Sequence, residues 1–107
     1  MIQIHMIDGR NCPMPMCDVC GERIEDAGKA AVVFQNFTPN GSRLGVRFVH
    51  KGSIDGRTCH DKAEAEISTA GGKPGWEELK MFLANLAFNV GFPARDMAAH
   101  DNNRSRP

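Results

Sequence analysis

Two residues separate Cys17 from Cys20, and Gly21 follows at once. One tight turn aims both sulfurs at a single point, which is half of a zinc site. The other half must come from later in the chain, where His50, Cys59 and His60 are the His and Cys candidates before the C-terminal tail. A structural zinc takes four such ligands in a closed tetrahedron, and Cys17, Cys20, His50 and Cys59 form the preferred set. His60 is an alternative fourth ligand, but adjacent helical residues point about 100° apart, so Cys59 and His60 converge poorly on one ion. Cys12 is a spare thiol in an N-terminal arm or a further alternative ligand. His5 and His100 read as surface residues. A redox dithiol would instead need a strand feeding a helix that starts at the first cysteine. Here Pro13 and Pro15 precede the pair and a glycine follows it, so zinc is the stronger reading.

Several elements must deliver those ligands. Ile2, Ile4 and Met6 alternate with Gln3 and His5, the period of a strand, and Asp8-Gly9 ends it. The two prolines hold Asn11 to Met16 extended. Ala30 to Phe37 is rich in β-branched and aromatic residues and predicts a strand. Asn40-Gly41 is the turn, and Arg43 to Lys51 is the partner strand. Leu44, Val46, Phe48 and His50 share one face of that strand, and Arg43, Arg47 and Lys51 the other. His50 thus continues the apolar side and points inward. Thr58 stands three residues before Asp61, a capping-box pattern that opens a helix through Ala70. Cys59 then occupies the first helical position, where free N–H groups and the dipole favour a thiolate. Ser68 to Gly75 holds three glycines and a proline and reads as a linker. A second helix is predicted over Trp76 to Val90. Trp76, Leu79, Leu83, Leu86 and Val90 form its inner stripe beside Phe82, while Met81 and Phe88 lie on the opposite face.

Knuckle, hairpin, then a helix bearing a ligand in its first turn: in that order the chain resembles the treble-clef zinc fingers, a zinc-ribbon-like architecture. Cys17-Asp18-Val19-Cys20-Gly21 matches their knuckle, and the resemblance covers roughly Met16 to Ala70. Treble clefs usually draw their last two ligands from the helix start, about a turn apart. Lys62 and Ala63 cannot serve, so His50 or His60 must fill that place. The fold expected is α+β: a zinc-knuckle plus an antiparallel β-hairpin, with the N-terminal strand as a candidate third strand, and two helices. Residues 1–93 form one zinc-stabilised domain and 94–107 a flexible polar tail.

Bulk properties narrow the function. The 107 residues are 41% hydrophobic and 24% charged, ordinary for a globular chain. Without tail and linker, fewer than ~80 residues remain to pack, and a core of that size contributes only a few kcal/mol without a staple. Thirteen basic residues balance thirteen acidic ones, so no broad positive field favours DNA or RNA. No apolar run reaches the ~20 residues of a membrane span. With no export signal, the four cysteines read as thiols or metal ligands and the expected location is cytoplasmic. The favoured function is a small non-catalytic zinc-binding module mediating a protein–protein interaction, a homodimer among the options, through Met81 and Phe88. The alternative is a nucleic-acid-binding zinc finger with a regulatory role, using Arg43, Arg47, Lys51 and Arg57. A zinc enzyme, with Cys17, Cys20, Cys59 and a water on the metal and His60 or Asp61 as base, ranks third, because no phosphate loop or nucleophile–base pattern accompanies the cysteines.

Overall fold

The computed structural model describes residues 1–36, 45–52 and 56–102. Strands β1 (Ile2–Ile7) and β2 (Arg10–Pro15) pair antiparallel around Asp8 and Gly9. Both turn residues have positive φ, 51° and 76°, the type I′ turn whose twist suits a two-residue hairpin. After a short 3-10 turn (Ala27–Lys29) come β3 (Ala30–Gln35), β4 (Arg47–His50), α1 (Cys59–Thr69), β5 (Pro74–Glu78), α2 (Leu79–Asn89) and α3 (Ala94–Asn102). The fold is α+β, with a two-stranded and a three-stranded antiparallel sheet and three helices among the described residues.

Strand β3 is central, with β4 on one side and β5 on the other. It is almost continuously apolar, Ala30 to Val33 being buried, because helices cover both of its faces. Register places Ala31, Val33, Arg47, Val49, Trp76 and Glu78 on one face. Helix α1 lies over it, with Arg47 bonded to Glu66 and Trp76 edge-on to His60. The opposite face holds Val32, Phe48, His50 and Glu77, under α2, where Phe48 meets Phe82 edge-on at 6.1 Å. Helix α1 closes in a Schellman motif: Gly71, at φ 87°, takes the left-handed position that a glycine fills without strain, and Gly72 N–H reaches Ile67 O at 2.9 Å.

Four expectations need correction. The third strand of the main sheet is β5 rather than the N-terminal strand, which pairs with Arg10–Pro15 instead. The glycine-rich linker therefore ends inside a strand, and the second helix begins at Leu79, with Trp76 in β5. The basic face of β4 is partly covered by α1, so that Val49 is fully buried between Arg47, which stays exposed, and Lys51. Residues read as tail are helical from Ala94 to Asn102, started by Asp96 and Met97 N–H bonds to Pro93 O. The Asn40-Gly41 turn, Arg43 and Leu44 lie outside the described residues.

The inner stripe of α2 is only partly covered. Leu79 is buried, Leu83 and Leu86 are about half exposed, and Val90 is mostly exposed. An eleven-residue helix on a sheet of three short strands overhangs its support.

Candidate metal centre

The knuckle is a tight turn held by its own backbone. Gly21 N–H bonds Cys17 O at 3.0 Å, and Cys17 N–H bonds Glu22 O at 2.9 Å. Gly21, at φ 76°, reverses the chain where a Cβ would be strained. The amides of Val19 and Cys20 donate to Cys17 Sγ at 3.4 and 3.5 Å. Asp18, between the cysteines, clips the turn onto β4: its amide donates to Phe48 O, and its carboxylate accepts Phe48 N–H, both at 2.7 Å. That pair fixes the knuckle two residues from His50.

The Sγ atoms of Cys17, Cys20 and Cys59 and a ring nitrogen of His50 all lie within 4.8 Å of one another. Cys20 Sγ is 3.5 Å from His50 Nδ1. Zinc–sulfur bonds of about 2.3 Å put tetrahedral sulfurs about 3.8 Å apart, so the cluster needs only a small contraction to close on one ion. The four donors come from three elements: two from the knuckle, His50 from the end of β4, and Cys59 from the first residue of α1. Cys17 and Cys59 are buried, His50 is half-buried and Cys20 is exposed. Four protein donors of these types suit a metal ion, and the three soft thiolates favour zinc over the oxygen-seeking cations.

The thiols are already polarised against each other. Burial pushes Cys17 up, but the Cys20, Val19 and His50 backbone bonds and the Cys20 side chain outweigh it and lower the thiol to about 6. Cys59 is raised to about 11, first by burial, then by its hydrogen bond and charge repulsion with Cys17 and Cys20. Arg57 supplies a counter-charge. Its Nη1 lies 3.3 Å from Cys20 Sγ and 2.5 Å from Glu22 Oε2, and Glu22 holds the guanidinium even above its usual range. A cation beside a ligating sulfur offsets the excess negative charge of three thiolates on a dication.

The alternative ligands stand elsewhere. His60 is buried, but its Nδ1 accepts the Gly52 amide at 3.2 Å and its ring packs on Trp76. Its Nε2 lies 2.5 Å from Glu64 Oε1 without hydrogen-bond geometry. Cys12 sits in β2 opposite His5, its Sγ 3.7 Å from Arg10 O. Of the basic row, Arg47 pairs with Glu66 at 3.0 Å, and Lys51 pairs with Glu78 at 2.6 Å while lying over Trp76. Met81 and Phe88 are 51% and 82% exposed. Sequence reasoning missed Asp18 as the clip and assigned Arg57 to a phosphate surface. An acid inside the knuckle and a basic residue two before a ligand were the available signals.

Comparison with protein-family models, with curated proteins and with solved structures finds no match for this chain. No helix among the described residues is long and apolar enough to cross a membrane.

Proposed function

We propose that this chain is a non-catalytic, treble-clef-like module in which zinc on Cys17, Cys20, His50 and Cys59 fixes a small fold, and the fold presents α2 to a protein partner. The observation that carries the reading is the cluster itself. Three cysteines and one histidine can supply all four positions of a tetrahedral zinc, which would leave none for water or substrate and supports a structural role over a catalytic one. The partner surface rests on Phe88 and Met81, which stand on the outer side of a helix whose single charged residue is Lys80.

A nucleic-acid role has less support. Arg47, Lys51 and Arg57 each pair with a carboxylate, and phosphate would have to displace those partners.

The test combines metal analysis with Phe88→Asp in the reduced, zinc-loaded protein. One zinc per chain, with retention of a protein partner that survives high salt and is lost in Phe88→Asp at unchanged zinc content, is the expected result. Absence of metal from the folded, reduced protein overturns the zinc reading. Retention of RNA or DNA that falls steeply with salt overturns the partner reading.

A further inference from the structure

The hairpin has two outer edges, and among the described residues only one is closed. In β1 and β2 the hydrogen-bonded pairs alternate with non-hydrogen-bonded ones, and Met16 N–H to Met1 O at 2.7 Å fixes which is which. Pro13 and Pro15 therefore fall where β2 faces outward, so its edge lacks those donors, and Pro15 O is taken by Ile24 N–H at 2.9 Å. On β1, Ile2, Ile4 and Met6 turn their N–H and C=O groups outward.

The other edges are managed too. Asp18 occupies the outward N–H and C=O of Phe48 on β4, and β5 has Pro74 at an outward position. Strand β1 has neither proline nor formal charge from Ile2 to Ile7, and β2 is the element it packs against extensively among the described residues. Such an edge is a template for another strand.

We propose that β1 pairs with β1 of a second copy of this chain, antiparallel about a two-fold axis at Ile4, to make a continuous four-stranded β2-β1-β1-β2 sheet. The strand is self-complementary in that register. Ile4 faces Ile4 of the other copy, and Ile2 faces Met6, so each outward residue meets another outward residue and the three pairs exchange six backbone hydrogen bonds. The same register aligns the side chains. Ile2, Ile4 and Met6, each more than half exposed in one copy, form six apolar groups on one face, and Gln3 comes opposite His5 on the other. No like charges meet across the axis, because β1 carries no formal charge. A foreign strand would match the hydrogen bonds, but a copy of β1 matches the side-chain order as well. This interface is isologous, and it uses neither α2 nor the metal site.

The experiment uses the zinc-loaded chain, with sedimentation velocity and amide hydrogen exchange measured across a concentration series. The expected result is a monomer–dimer equilibrium in which the amides of Ile2, Ile4 and Met6 gain protection with concentration. Those of Gln3, His5 and Ile7, already bonded to β2, stay constant. Ile4→Lys sets like charges opposite at the axis and should give a monomer with unchanged zinc content. Ile4→Pro removes one outward donor without touching the β1–β2 bonds and should do the same. A monomer at every concentration overturns the proposal. So does a dimer that survives Ile4→Lys, or one whose edge amides stay unprotected and that Phe88→Asp abolishes. Zinc content in each variant separates these outcomes from failure of the metal reading.

Discussion

Two histidines that are both candidate ligands by type, His50 and His60, stand in different surroundings, and the difference is one of address. His50 ends β4 with Nδ1 toward Cys20 sulfur, while His60 sits one position inside α1 with its ring against Trp76 and the Gly52 amide. His60→Ala should therefore keep one zinc per chain and cost about 1–3 kcal/mol through the emptied space around Trp76. Cys59→Ala should abolish stoichiometric metal, and metal content with urea midpoints on the same samples checks both. The thiols also set a pH trend. Cys17 lies below the ordinary thiol value of 9.0, so its contribution to the stability of the metal-free fold is present above 9.0 and lost as pH falls through about 6. Cys59 lies above it, so its contribution is present below 9.0 and lost as pH rises through about 11. Metal binding needs both as thiolates, and the reluctant one governs. Between pH 6 and 9 zinc affinity should rise with pH, as removing the Cys59 proton becomes easier. Competition with a chromophoric chelator across that range measures it, and a flat affinity would count against the assignment.

At the scale of elements, legibility followed how local the cause was. The knuckle, the β1 alternation and the α1 start at Cys59 were readable because turn residues and periodicity act within a few positions. Strand β5 was not, because Pro74-Gly75-Trp76 is a strand only through its register with Gln35, Phe34 and Val33 of β3. Long-range packing also changed part of the reading of β4. Arg47 and Lys51 looked solvent-facing, yet Glu66 of α1 and Glu78 of β5 meet them, and Val49 between them is buried. Of the candidate site, the four donors could be read from types and spacing, while Asp18 and Arg57 gave only a local hint of residue type, because their partners lie 30 and 37 residues away. Gly75 marks the hidden strand physically. A Cβ there would meet Phe34 Cε2 at 2.9 Å and Asn36 Cβ at 3.1 Å. Gly75→Ala should consequently lower stability by about 1–3 kcal/mol through overpacking, seen as a lower urea midpoint with zinc content retained. An unchanged midpoint would mean that β5 does not approach β3 this closely.

For the whole molecule, the question is what holds three short strands and three helices together. The largest fully buried side chains are Leu79, Val32, Val33, Val49 and Cys17, so four aliphatic groups and a candidate ligand form the centre. At roughly 1.5–3 kcal/mol each, the four aliphatics contribute on the order of 10 kcal/mol before the entropy of ordering the chain is charged against them. A structural zinc would contribute about 10–16 kcal/mol at neutral pH, as much as that core, and would join the knuckle, β4 and α1, which otherwise share few large side chains. Chelation of the reduced protein should therefore remove the cooperative thermal transition or lower it by tens of degrees, and restored zinc should return it. Differential scanning calorimetry with metal analysis of each sample decides the matter. A verified metal-free chain melting at the same temperature as the zinc-loaded one would show that the core suffices. The four donors would then be a binding site laid on a fold that does not need it.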